Sequence, residues 1–221
     1  AFEYVDPDRP RPINVLLEFV TVSPDENDIL DLDLQGSMNE FPLWADGKLG
    51  PWQNLIDGRD LTADLDLMLG QVQLAIDGTA DNFLRLEGVD VSLSLTGPSI
   101  ERVADRLGLP PFASGPFRID GELKRLDGGN LVSLNGNLGE IRIIANGSID
   151  SLRRPRNTAY DLNVTGPDAR YISELLGVNG VPAVPFSVSG DFERNEQRVS
   201  FSGARAQLGE NAVGFEGWVD A

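Results

Sequence analysis

Neither His nor Cys occurs among the 221 residues, so any chemistry the chain performs falls to carboxylates and lysine. The usual general base, the commonest zinc ligand and every thiolate are missing together. Carboxylates are plentiful, with 35 Asp and Glu against 18 Lys and Arg and a formal net charge of −17. Two groupings stand out: Asp25, Glu26 and Asp28 on one stretch, and Asp64 with Asp66. The first lacks the ligand spacing of an EF-hand loop, and the second alternates with Leu65 and Leu67 as the solvated face of a strand does. A glycosidase needs two carboxylates facing one cleft, and nothing here selects a pair. The acidic residues fall in the polar phase of alternating segments, on the outside of whatever those segments enclose. No enzyme is therefore expected, and no catalytic residue, metal site or cofactor. The charge also disfavours nucleic acid as a partner and shows no polybasic patch for lipid headgroups. Trp44, Trp52 and Trp218 stand near predicted turns or strand ends, where an amphipathic ring covers the edge of a core.

The elements that place these carboxylates come from a phrase used three times. LGQVQLAIDGTAD at 69–81, LGEIRIIANGSID at 138–150 and LGENAVGFEGWVD at 208–220 each read Leu-Gly, seven residues, Gly, then Asp three positions on. Their starts are 69 and 70 residues apart, so each repeat holds several elements, and stacking neighbours is its route to a core. In the first copy Leu61, Ala63, Leu65, Leu67 and Leu69 alternate with polar residues, and Val72, Leu74 and Ile76 continue the pattern. Period two over two such runs predicts an antiparallel hairpin. With Gly70-Gln71 as a two-residue type II′ turn, Leu69 faces Val72, Leu67 faces Leu74 and Leu65 faces Ile76. The same register pairs Leu138 with Ile141, Gly136 with Ile143 and Leu134 with Ala145. In the third copy it pairs Ala206 with Val213 and Ala204 with Phe215. There Leu208 meets Asn211, a misfit that marks the third hairpin as trimmed or bulged.

Between hairpins lies a second phrase, TGPSIERVADRLGLPP at 96–111 and TGPDARYISELLGVNGVP at 165–182. Pro98 and Pro167 suit a first helical position and Gly108 and Gly177 a C-terminal stop. Ile100, Val103, Ala104 and Leu107 share one helical side, as do Ala169, Ile172, Leu175 and Leu176. One short α-helix per repeat is predicted, near 98–107 and 167–176, packed as a lid on its own sheet. A third phrase, PFRIDGEL at 116–123 and PFSVSGDF at 185–192, alternates again. The stretch 47–58 is a degenerate helix phrase. The chain thus reads as one elongated domain over 1–221, with an incomplete repeat over 1–81 and repeats over 82–150 and 151–220. Its fold class is mainly β, a curled antiparallel sheet around an apolar interior. No apolar run of 18 residues appears, and the first residues, AFEYVDPDRPRP, read as the middle of a longer protein.

The succession GSMNEFPL, KLGPW, DLDLMLGQVQLAIDGTAD, LEGVDVSLSLTGPSI, RLGLPPFASGPFRIDGEL and NGNLGEIRIIANGSID resembles the AsmA-type proteins of Gram-negative bacteria, relatives of TamB and YhdP. The resemblance covers about residues 30–220. It implies a periplasmic protein held in the inner membrane by an amino-terminal helix that this chain lacks. It also implies a long curled sheet of the β-taco kind, and phospholipid carried through an apolar groove toward the outer membrane in outer-membrane homeostasis. Partners implied are phospholipid acyl chains, adjacent repeats of the same protein and other envelope proteins. The groove candidates are Leu65, Leu67, Leu74 and Ile76 in the first hairpin, with Val91, Leu93 and Leu95 after it. Ile141 and Ile143 follow in the second hairpin, then Leu162 and Val164. Val199, Phe201, Val213 and Phe215 complete the set in the third. The same residues would fill a closed sandwich core in a scaffold protein that supports envelope assembly without a lipid ligand. The two readings differ in exposure, because an open groove leaves a large contiguous apolar surface.

Overall fold

The structure is a computed structural model and describes residues 2–4, 13–39, 41–99, 115–171 and 180–220. Contacts divide the chain into two units, Ala1–Leu95 and Thr96–Ala221. The first holds β1 (Phe2–Tyr4), β2 (Ile13–Pro24), β3 (Leu30–Met38), β4 (Phe41–Gly50), α1 (Trp52–Asp57), β5 (Arg59–Leu69), β6 (Val72–Asn82) and most of β7 (Glu87–Gly97). The second holds β8 (Phe117–Leu126), β9 (Gly129–Leu138), β10 (Ile141–Ile149), β11 (Thr158–Gly166), β12 (Phe186–Arg194), β13 (Arg198–Leu208) and β14 (Asn211–Asp220). Within each unit, strands next to each other in sequence are neighbours in the sheet. Pairing is antiparallel from β1 to β6 and again from β8 to β14. The fold is mainly β, as the alternation requires.

All three hairpins have the register that the repeated phrase predicts. Leu69 pairs with Val72, Leu67 with Leu74 and Leu65 with Ile76. Leu138 pairs with Ile141, Gly136 with Ile143 and Leu134 with Ala145. Ala206 pairs with Val213 and Ala204 with Phe215. Gly70, Gly139 and Gly209 have φ of 64°, 60° and 57°, while the residue after each keeps a negative φ. A positive φ at the first central position alone is the type II′ signature, and it matches the twist of the flanking strands. The misfit in the third hairpin is resolved away from its turn. Leu208 stays opposite Asn211, and the register shifts instead between Phe201 and Ala204, where Gly203 takes φ 57°. A bulge with a left-handed Gly absorbs the extra chain and leaves the turn intact.

In the first two copies the second glycine of the phrase has a steric reason. A Cβ on Gly78 would lie 2.2 Å from the Asp90 carbonyl oxygen, and one on Gly147 2.0 Å from that of Ala159. Gly47 has the same constraint, at 2.1 Å from the Asp64 oxygen. All three sit on the apolar face, opposite Ala63, Tyr160 and Leu65 respectively. Glycine kinks and bulges of this kind are how a sheet takes on curvature. In the second copy the Asp of the phrase works just beyond the strand end. Asp150 Oδ1 accepts the Arg156 backbone N–H at 3.0 Å and Oδ2 accepts Asn157 Nδ2 at 3.0 Å, tying off the β10–β11 loop.

Three sequence expectations need correction. Pro98 and Pro167 do not open helices: Pro98 follows β7 in a bend, and after Pro167 helical geometry begins only at Arg170. There Asp168 Oδ1 accepts the Arg170 backbone N–H at 3.0 Å, so the acidic side chain performs the capping. Residues 100–114 and 172–179, which contain the rest of both predicted helices, lie outside the described residues. The 47–58 stretch is split, since 47–50 finish β4 and only Trp52–Asp57 are helical, closed by Gly58 at φ 67°. That helix falls between β4 and β5, whereas the Pro-containing phrases precede β8 and β12. Trp44 is in mid-strand on the polar face of β4, paired with Gln35 and Met68, because alternation from Leu43 assigns it there. Trp218 is likewise on the polar face of β14, with the Arg198 guanidinium 4.0 Å over its ring.

Candidate functional site

Residues directly opposed across an antiparallel pair share a face, so the registers assemble the candidates into rows. In the first unit one row runs Val22, Leu32, Gly47, Leu65, Ile76, and the next runs Val20, Leu34, Ala45, Leu67, Leu74. In the second unit Gly136, Ile143, Val164, Val188, Ala206 and Val213 form one row. Leu134, Ala145, Leu162 and Gly190 form another. Phe201 and Phe215 meet edge to face with ring centroids 5.6 Å apart. Val199 pairs with Val219 at the far end of the same strands. Val91, Leu93 and Leu95 alternate along β7 with Asp90, Ser92 and Ser94. Every candidate is thus on a strand; Leu65 shares a row with Ile76, Leu67 with Leu74, and Ile143 with Val164 and Val213.

Exposure decides what such a face can do. Of the fifteen candidates Ile141 alone is buried, at 5%, beside its partner Leu138 and with Phe117 across from Leu138. Val213 is 59% exposed and Phe215 41%; the others are half-buried. A sealed sandwich core would push most of them below a tenth. Among the described residues, several of the buried apolar residues are instead at or beside strand ends, as at Phe117, Leu138, Ala169 and Phe186. Apolar rows left this open can take up acyl chains or another apolar surface.

In the first unit the opposite face carries acidic rows. Asp31, Lys48, Asp64 and Asp77 are successive partners across β3 to β6, and Asp33, Asp46 and Asp66 form the adjacent row. Asp25 is engaged in a turn, its Oδ1 accepting the backbone N–H groups of Asn27 and Ile29 at 2.7 and 3.0 Å. Asp150 is held below the ordinary carboxylate value: burial alone would raise it, and the hydrogen bonds from Arg156, Asn157 and Ser151 outweigh that. Asp168 is lowered too, chiefly by hydrogen bonds from the Arg170 side chain and backbone. Ion pairs such as Arg118–Asp120 at 2.7 Å and Lys124–Glu122 at 2.9 Å are mostly exposed, and screening by solvent leaves them little weight in stability.

Several members of the apolar face were missed. Leu32 and Leu34 alternate visibly in the sequence, but Val20 and Val22 are disguised by a β2 bulge between Leu17 and Phe19 that resets the phase. Leu43, Ala45 and Leu49 are disguised by glycine and alanine in β4, which weaken the apolar signal of the strand.

Fold and faces together define a mainly-β antiparallel protein with recurring hairpins and, in each of its two units, half-buried apolar rows on one face of the strands. No family model matches the sequence, and no solved structure matches it. A curated relative does match: over 96 residues, 43% of this chain, the sequence is 29% identical to the AsmA family protein YhjG of Escherichia coli (strain K12). The matched stretch is 14% of the length of that protein. This chain is similar to an AsmA family protein over part of its length. No helix among the described residues is long and apolar enough to cross a membrane.

Proposed function

We propose that this chain is a segment of an AsmA-like envelope protein whose apolar face binds or conducts phospholipid acyl chains between the inner and outer membranes. The observation that carries the reading is the set of half-exposed apolar rows in both units, with a similarity to YhjG over 43% of the chain beside it. In this reading the protein works in the periplasm, its parent is anchored in the inner membrane, and it has no catalytic role. Burial of about 0.8 kcal/mol per CH₂ makes even a partly covered acyl chain a substantial ligand. Adjacent repeats of the same kind would add their strands beside β14, whose Val213, Trp218 and Val219 are each more than half exposed. The test is native mass spectrometry of the purified protein followed by organic extraction. Co-purified phospholipid is expected, and a lipid-free protein that takes up none from added micelles returns the face to a scaffold role.

A further inference from the structure

In the Thr96–Ala221 unit the apolar face ends in a polar row. Successive partners across β8 to β12 are Arg125, Asn130, Ile149, Thr158 and Arg194. This row lies one step beyond Leu123, Val132, Gly147, Tyr160 and Phe192, and therefore on the same face as the apolar rows. A cleft of about 370 Å³ opens at this end, lined by Asn130, Ile149, Thr158 and Arg194 together with the β8–β9 turn and the β10–β11 loop. Its size is that of a small-ligand pocket.

Two side chains in it are unspent. Asn130 is 6% exposed, and its Oδ1 has no hydrogen-bond partner. Buried amide oxygens are rarely left without a donor, because keeping one desolvated and unpaired is costly. Arg194 forms no ion pair among the described residues. Of the three acids that also line the cleft, Asp150 is committed to Arg156 and Asn157 of its own loop. Asp127 belongs to the β8–β9 turn, and Glu193 is on the opposite face of β12 from Arg194.

We propose that this cleft seats the headgroup of a phospholipid whose chains lie along the apolar rows. This rests on the lipid-binding reading above and adds the subsite that orients the lipid. The Arg194 guanidinium presents a planar fork that suits a phosphate. Asn130 Oδ1 needs a donor, which a glycerol hydroxyl or an ethanolamine ammonium supplies and a fatty-acid carboxylate does not. A phosphate ester with a donor-bearing head satisfies both groups at once.

The experiment is calorimetric titration of the protein with dihexanoyl phosphatidylglycerol below its micelle concentration. Dihexanoylglycerol serves as the phosphate-free amphiphile and glycerol 3-phosphate as the chain-free headgroup. Phosphatidylglycerol is expected to bind about tenfold or more tighter than either, the scale of a charge-assisted hydrogen bond. Arg194→Ala and Asn130→Leu should each weaken it by about fivefold to tenfold and leave dihexanoylglycerol unchanged. Asn130→Leu removes an unpaired polar group and should melt no lower than the parent; Arg194→Ala changes an exposed side chain and supports the test on its own. Binding of both amphiphiles with equal affinity, or variants indistinguishable from the parent, overturns the headgroup site while leaving lipid binding in place. Glycerol 3-phosphate binding as tightly as the lipid also overturns it, as a site for a free phosphate ester. A parent protein that binds neither amphiphile removes the lipid reading itself, and the subsite with it.

Discussion

Ile141 and Ile143 are two residues apart on one strand and one face, yet they are expected to respond differently to the same substitution. Ile141 is 5% exposed, with Leu138 opposite it, so a carboxylate there is desolvated without a partner. Ile141→Asp should cost about 3 kcal/mol or more and show as a large fall in thermal unfolding temperature. Ile143 belongs to the half-buried row with Val164, where a charge keeps access to water. Ile143→Asp should cost about 1 kcal/mol and reduce lipid occupancy measured by mass spectrometry. Collapse of Ile143→Asp to the level of Ile141→Asp would mean that the row is a closed core. On the other face, Asp66 has Asp46 directly across from it. Asp66→Lys should relieve like-charge repulsion, change stability by no more than about 0.5 kcal/mol, and leave lipid occupancy alone.

At the scale of elements, the hairpins are held by backbone constraints as much as by side chains. Gly78→Val would drive a Cβ to 2.2 Å from the Asp90 carbonyl oxygen, at a φ of 151° that Val does not adopt. It is expected to lose about 2–3 kcal/mol or to shift the β6 register, read by chemical denaturation. Gly214→Ala is the control, because its new Cβ meets nothing closer than 3.7 Å. The β10–β11 loop has a pH signature. Asp150 is lowered from 3.8, so the unfolded chain takes up its proton at higher pH than the folded one does. The stabilisation it contributes is complete above 3.8 and is lost as pH falls through the lower, folded value. Amide exchange of residues 151–157 should therefore accelerate selectively below about pH 4, and Asp150→Asn should remove that pH dependence.

For the molecule as a whole, the charge of −17 governs how it meets a membrane. An acidic surface repels an anionic bilayer over about a Debye length, roughly 10 Å at 0.1 M salt. Extraction of lipid from phosphatidylglycerol vesicles should accelerate several-fold between low salt and physiological salt, and extraction from phosphatidylcholine vesicles should be nearly salt-independent. Stopped-flow fluorescence with a labelled lipid measures both. Equal salt dependence would mean that the acidic face does not approach the donor membrane.

The amino-acid sequence by itself determined the alternating strands of the three repeated hairpins, their registers and the side of each on which an apolar residue falls. These are local properties, set by period-two alternation and by glycines at fixed offsets, so Leu65, Leu74, Ile143 and Phe215 were legible in advance. What remained undetermined was everything that depends on which strands lie side by side and on what covers them. Pairing across β2, β3 and β4 brought Val20, Val22, Leu43 and Ala45 onto the apolar face, past a bulge and small residues that blur the local pattern. Tertiary structure likewise set Ile141 apart from Ile143, since burial depends on neighbouring elements and not on hydropathy. It also joined Asn130, Thr158 and Arg194, which come from three strands and share no motif, at one end of a single face.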